Sequence, residues 1–213
     1  MDNYNFKIVM LFLSSYLIGS IPFSYLIGKL FYNTDIREHG SKNVGATNVF
    51  RVLGKKAGVS AMLLDAGKGY IAVLIADLAF AGYDPNSPCI SVDTIYVNIF
   101  CGIFAVIGHN WTIFLKFKGG KGVATSIGVA LGLVPAAAGV AFASFGLILF
   151  LTKYVSLSSM IGALTFFIVL IVFKESAPIL VFGGLALIMI IVRHVPNIKR
   201  LLKGTENKIW QKK

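Results

Sequence analysis

The chain has 213 residues, 56% hydrophobic and 14% charged, with a mean hydropathy of +0.79 and a formal net charge of +11. Soluble domains carry about a quarter charged residues, so this composition excludes an ordinary water-soluble globular fold and points to the membrane class. The positive excess needs no nucleic-acid partner, because cytosolic loops of membrane proteins collect lysine and arginine.

The first uncharged run is Ile8–Gly28, and the apolar stretch continues past Lys29 to Tyr32. No basic segment with a short apolar core and a small-residue cleavage site precedes it. Ile8–Tyr32 therefore reads as a retained span rather than a signal peptide. Next comes a polar segment, Asp35–Gly58, with the sequence DIREHGSKNVGATNVFRVLGKKAG. Ser41, Asn43, Thr47 and Asn48 supply small hydrogen-bonding groups, and Gly40 and Gly45 allow close backbone approach. Arg51, about one helical turn past Asn48, offers a planar fork suited to phosphate or carboxylate. Helix caps and turns use the same small polar residues, so the cluster also fits a simple helix entry.

Gly58–Gly82 is a further candidate span, although it carries Asp65, Lys68 and Asp77. Asp65 and Lys68, at i and i+3, are expected to pair with each other. Asp77 is the one candidate for a midplane charge, or lies near an interface. Thr94–Leu115 is the next uncharged run and leads into Gly108–Thr125, GHNWTIFLKFKGGKGVAT. Gly119, Gly120 and Gly122 let a backbone wrap closely round a ligand, and Lys121 with Lys116 and Lys118 adds positive charge. A helix starting near Gly122 aims its N-terminal dipole at the same place, which suits a phosphate. A basic loop placed only by topology would look similar. His109, beside these lysines, reads as a general base, a phosphate donor or an interfacial residue bonded to a carbonyl.

Gly122–Thr152 runs for 31 residues, about 46 Å as one helix and too long for a single crossing of a core about 30 Å thick. Pro135 is expected to divide it into a short helical hairpin. Tyr154–Phe173 and Ser176–Val192 complete the spans, with a short turn at Lys153–Ser159 between the hairpin and the first of these. The chain ends in RHVPNIKRLLKGTENK from Arg193, where His194 and Asn197 at i, i+3 share a face if the helix continues; Pro196 disfavours helix at Val195.

Charge decides the number of spans. With the hairpin there are seven, and Lys7 and Lys174 are the only basic residues on one side. Without it, Lys153 and the whole basic tail change sides. The positive-inside rule favours an all-α integral membrane protein of seven transmembrane helices, N-terminus outside and C-terminus cytosolic, as one domain over residues 1–213. Every polar-rich segment then faces the cytosol, while the outer loops carry Asp84, Asp93 and Glu175 with no comparable cluster. Cys89 falls in an outer loop and Cys101 within a span, which argues against a disulfide between them.

Several familiar sites are absent. The GK pairs at Lys29, Lys55, Lys68 and Lys121 are followed by Leu, Lys, Gly and Gly, so no P-loop exists. No H-x-x-x-x-D, G-x-S-x-G or H-E-x-x-H is present, and no visible ligand cluster calls for a metal or another cofactor.

Three ordered signatures resemble one known family: GSKNVGATNVFRVLGKKAG from Gly40, GHNWTIFLKFKGGKGVAT from Gly108 and RHVPNIKRLLKGTE from Arg193. The chain is similar, over essentially its whole length, to the bacterial membrane acyl-phosphate:glycerol-3-phosphate acyltransferases. The resemblance implies transfer of a fatty acyl group from acyl phosphate to the sn-1 hydroxyl of glycerol 3-phosphate, giving lysophosphatidate and phosphate at the cytosolic face of the inner membrane. It implies that Ser41, Arg51, Lys121, His194 and Asn197 line the substrate site, joined by Ser156 or Ser159. Asn43, Thr47, Asn48, Gly119, Gly120 and Gly122 would shape the phosphate loops. Lys42 stands where the family commonly has glycine, and Val195-Pro196 replaces a more polar pair. The hydroxyl proton would pass to the donor's own phosphate or to His109. A carrier for organophosphate anions, or a protein binding anionic lipid through its basic tail, would explain the spans and the charge but not the three signatures.

Overall fold

The computed structural model describes residues 3–81 and 93–210; Asp84 and Cys89 lie outside them. All regular structure among the described residues is helical: α1 (Asn3–Ser20), α2 (Phe23–Tyr32), α3 (Ala46–Leu53), α4 (Lys55–Phe80), α5 (Thr94–Asn110), α6 (Val123–Leu133), α7 (Pro135–Thr152), α8 (Val155–Val172), α9 (Ala177–Arg193) and α10 (Val195–Leu202). A short 3-10 turn, Ile113–Leu115, follows α5.

The surface has the chemistry of a bilayer protein. Phe150, Val172 and Leu147 are exposed, while Asp65, Lys68, His109 and Asn197 are buried. In hydrocarbon every backbone polar group must be satisfied within the segment, which is why the apolar runs are helices. Four segments are long and apolar enough to cross a membrane: α4, Thr94–Leu115, α7 and α8. The count rises to six if the bent pairs α1–α2 and α9–α10 each form one span.

The first bend differs from the uninterrupted span expected over Ile8–Tyr32. Ile21 and Pro22 separate α1 from α2, and the axes turn by 41°. Proline has no N–H to give the helix and its ring clashes with the preceding turn. The division expected at Pro135 falls at Val134, the one residue between α6 and α7, with Pro135 in the first turn of α7 where its missing N–H costs nothing. α6 has 11 residues, about 16 Å, half a crossing length. The turn expected at Lys153–Ser159 is shorter: α8 already begins at Val155, and Ser158 and Ser159 donate to the carbonyls of Tyr154 and Val155. Lys153, with φ of 62°, makes the sharp reversal.

Small residues set the closest helix crossing. Gly69 of α4 faces the Thr125 carbonyl of α6, and Gly128 of α6 faces the Ala66 carbonyl of α4. A Cβ at either place would collide with backbone, so the two glycines allow α6 to ride directly on α4. One apolar cluster, including Val73, Val129, Phe166, Leu170, Ile179 and Phe182, packs α4 to α9 together. A second, including Ile27, Ile36, Val49 and Leu115, holds α2, α3 and the loop after α5. Asp77, one turn from the end of α4, is exposed and accepts from Asn98 Nδ2 at 3.2 Å, so it is no buried midplane charge.

Candidate active site

The tail folds back onto the helix ends. Glu206 is the sole acidic residue after Glu175, and it is buried. Its Oε1 accepts from Asn197 Nδ2 at 2.7 Å and from Ser156 Oγ at 2.9 Å, and its Oε2 accepts from Arg200 Nε at 2.7 Å. Burial alone would raise its pKa, but these hydrogen bonds outweigh burial and hold the carboxyl below its usual range. Lys121 Nζ donates to Asn197 Oδ1, so one amide joins the lysine to the carboxylate. Arg51 reaches in from α3, its Nη2 donating to the Asn207 carbonyl at 2.8 Å, while its Nε is buried without a partner.

Lys121 lies in a cationic surround. Burial is the chief cause that brings its pKa down to about 8; Glu206 opposes that shift, and Arg200, Arg193 and Arg51 add to it. A lysine held among three arginines, with one buried carboxylate for balance, favours an incoming anion. His194 caps the break between α9 and α10. Its Nδ1 bonds the Ile190 carbonyl at 2.8 Å, which places the proton on Nδ1 and leaves Nε2 as an acceptor. The helix does not run straight through His194 as the i, i+3 spacing required. It bends by 57°, and α10 restarts at Val195 with Pro196 in its first turn. The Asn197 N–H donates to the His194 carbonyl at 2.8 Å, so the bend itself brings both side chains to the site.

The loop before α6 is moulded on the end of α5. Gly119 N–H donates to the Asn110 carbonyl at 3.2 Å and Gly120 N–H to the His109 carbonyl at 3.1 Å. Those two amides are therefore committed to the protein and do not turn toward a ligand, as a free glycine cradle would. Gly122 has φ of 80°, and a Cβ there would press on Asn110 Oδ1, so glycine is required. The first-turn N–H groups of α6, which have no intrahelical partner, follow directly after Lys121. Arg193 closes the loop by donating to the Gly120 carbonyl, with its guanidinium 5.4 Å from the Trp111 ring.

The first polar segment is a braced loop. Asn48 is buried; its Oδ1 accepts from the Ser41 N–H at 2.9 Å, and its Nδ2 donates to the Ile36 and His39 carbonyls. Asn48 thus shapes the loop with every polar atom engaged. Ser41 is exposed, and Asn43 and Thr47 are half-buried beside it. Lys42 has φ of 59°, the left-handed region, which explains why the resembled family favours glycine there.

His109 sits between the lysine loop and α4: its ring packs against Gly120, directly before Lys121, where a Cβ would collide with Nε2. Its Nδ1 lies 3.5 Å from Asp65 Oδ1, and Lys68 Nζ sits 2.8 Å from the same oxygen. The expected Asp65–Lys68 pair is present, extended by Ser24 Oγ on Asp65 Oδ2 at 3.2 Å. The group lines a polar cavity of about 180 Å³ with Ser20 and Thr112.

A larger, partly open apolar cavity lies between α6, α7, α8 and α9. Its rim touches the polar site through Val123, two residues past Lys121; through Ser159, one turn past Ser156; and through Ile190, whose carbonyl holds His194. The structure thus separates the two serines: Ser156 belongs to the Glu206 cluster and Ser159 to the apolar cavity. Glu206, Arg193 and Arg200 were missed as site residues from sequence. The available signal was a lone acid in a basic tail.

The chain matches the family model described as glycerol-3-phosphate acyltransferase over residues 9–204. It is 46% identical over 201 residues to glycerol-3-phosphate acyltransferase 2 of Bacillus anthracis, covering 94% of this chain and 98% of that one. It is 44% identical over 203 residues to the glycerol-3-phosphate acyltransferase of Staphylococcus carnosus (strain TM300), covering 95% and 98%. Among solved structures it is similar to the integral membrane glycerol 3-phosphate acyltransferase PlsY (YgiH). The glycerol 3-phosphate form matches at 39% identity with a TM-score of 0.85, covering 95% of each chain. The lysophosphatidic acid form matches at 38% identity with a TM-score of 0.83, again covering 95% of each.

Proposed function

The chain belongs to the glycerol-3-phosphate acyltransferase family, and from that premise we propose that it acylates the sn-1 hydroxyl of glycerol 3-phosphate with acyl phosphate as donor. It is an integral membrane acyltransferase. The observation that carries the finer reading is the meeting of Arg51, Lys121, Ser156, His194 and Asn197 at the rim of an apolar cavity. Two phosphorylated substrates need two anion contacts beside a place for an acyl tail, and this arrangement offers both.

In the proposed reaction the glycerol hydroxyl attacks the acyl carbonyl carbon. A C–O ester bond forms, the acyl–phosphate C–O bond breaks, and phosphate leaves with the electron pair. Arg51 makes a bidentate contact to phosphate, and Lys121 neutralises the charge that grows on the leaving group. His194 Nε2 accepts from a glycerol hydroxyl and fixes the orientation of the nucleophile. The hydroxyl proton passes to the donor's own phosphate. His109 is the weaker acceptor, because it is buried and shares Asp65 with Lys68. No acyl-enzyme forms, since the donor is already activated.

The proposed topology keeps seven crossings, with α1–α2 and α9–α10 as bent spans and α6 as a short one, the N-terminus outside and the site at the cytosolic face of the bacterial inner membrane. The basic residues of the loops support that orientation. Ser41 joins the site once glycerol 3-phosphate is bound. The test is acyl transfer by the purified protein from palmitoyl phosphate, with palmitoyl-CoA in parallel. Lysophosphatidate and phosphate from acyl phosphate alone, lost in Arg51→Ala, are expected. Product from palmitoyl-CoA instead would overturn the donor assignment. A His109→Ala variant that keeps most of the rate would favour the substrate-assisted route.

A further inference from the structure

The large cavity has an ordered lining. Along α8 its inward face runs Ser159, Gly162, Ala163 and then Phe166. Along α9, counted inward from Ile190, it passes Leu187, Ala186 and Gly183 before reaching Phe182. Both helices therefore present small side chains next to an aromatic ring, Gly162 and Ala163 beside Phe166 and Ala186 and Gly183 beside Phe182, with Leu187 of α9 nearer the rim. From rim to ring is seven residues on α8 and eight on α9, about 11 Å on a helical rise of 1.5 Å per residue.

The rings are a floor and not a movable wall. Phe166 is 7% exposed and Phe182 is 4% exposed. Beneath them, in the same apolar cluster, lie the fully buried Leu170 and the buried Ile179 and Ile99. On the facing helices the same level is closed by Ala130 of α6 and Ala138 of α7, both buried. Phe142 of α7, half exposed, borders the cavity nearer the rim. A chain entering from the polar site thus meets free space for about two turns of helix and then close-packed side chains.

We propose that Phe166 and Phe182 form the floor that sets which acyl-chain lengths the enzyme accepts. The proposal rests on the reading that the donor's acyl tail enters this cavity. A tail that fills the space down to the rings gains all of its contacts. A longer one must bend or emerge between helices, and in a fixed apolar pocket one misplaced methylene changes kcat/KM by roughly tenfold or more. Neither ring touches the polar cluster, so trimming them alters length selection without removing a group that holds phosphate.

The experiment is a competition of octanoyl, dodecanoyl and hexadecanoyl phosphates on the full-length protein, with the lysophosphatidate products resolved by mass. Phe166→Leu and Phe182→Leu deepen the cavity, and Ala163→Leu fills it one turn below Ser159. Relative to wild type, the ratio of long-chain to medium-chain product is expected to rise by about tenfold in the two Phe variants and to fall by a similar factor in Ala163→Leu. The opposite signs exclude a general loss of folding, which would lower all products together. Lysophosphatidate from every variant with the wild-type length profile would overturn the proposal while leaving the acyl-transfer reading standing. Wild-type protein that forms lysophosphatidate from none of the donors would overturn that reading, and the floor with it.

Discussion

Single residues in the polar cluster carry distinct and separable roles. Lys121, with a pKa of about 8, is charged below that value and loses its proton above it. Since kcat/KM reports the free enzyme, kcat/KM for glycerol 3-phosphate is expected to fall as pH rises through about 8. Lys121→Arg should remove that alkaline fall, because a guanidinium stays protonated throughout; initial rates in overlapping buffers would check both. Arg51→Ala should lower kcat/KM by about 10²–10³-fold, the usual effect of losing one preorganised charge contact. Lys42 tests local backbone strain. A left-handed conformation costs a side-chain-bearing residue about 1–2 kcal/mol, so Lys42→Gly should raise the unfolding midpoint in detergent, after the entropy that glycine returns to the unfolded chain. An unchanged or lowered midpoint would contradict that account.

Helices transmit these residue effects because the site is assembled from their ends. α6 carries the lysine loop at its N-terminus and rides on α4 through Gly69 and Gly128, where backbone meets backbone. Gly128→Ala should push the two helices apart, costing about 1–3 kcal/mol in a thermal scan and raising KM for glycerol 3-phosphate, because Lys121 moves with α6. How much of this was legible varies element by element. The apolar runs announced α8 and α9 to within a residue at each end, since a bilayer enforces helix wherever charge is absent, and placed α4 and α5 with looser ends. The breaks at Ile21–Pro22 and at His194 were less legible. Proline forbids a continuous helix but does not say how far the axis turns. The Asp65–His109 contact was invisible, because 44 positions separate partners that only the α4–α5 packing brings together. Ser156 and Ser159 could not be ranked from spacing. Their difference depends on Glu206, which arrives from a tail 50 residues away.

At the scale of the molecule, exposed leucines and phenylalanines surround a buried polar cluster, the inversion expected when lipid is the solvent. The proposed orientation can be checked with single cysteines in a background lacking Cys89 and Cys101. A cysteine at Lys203 should be labelled by an impermeant maleimide only after the cells are opened, and one at Lys174 in intact cells. The reverse pattern would overturn the topology. The three signatures made the family legible at this scale, but the joining of the last to the first did not follow from them. Arg51 bonds the Asn207 carbonyl across 156 positions, and the tail thereby ties the ends of α3, α8 and α10 into one unit.

The shortness of α6 has a consequence for the lipid itself. α6 is about 16 Å long and α7 about 27 Å, and the two meet at Val134. On the proposed topology both return to the same face, and with both axes along the membrane normal the difference of about 10 Å would set Lys121 deeper than Lys153. A bilayer thinned there would bring water and glycerol 3-phosphate down to the lysine. The amphiphilic donor then reacts without being lifted out of the leaflet, which spares about 0.8 kcal/mol for each methylene that stays submerged. In that arrangement the membrane surface would come to the reaction, and the apolar tail would keep its depth.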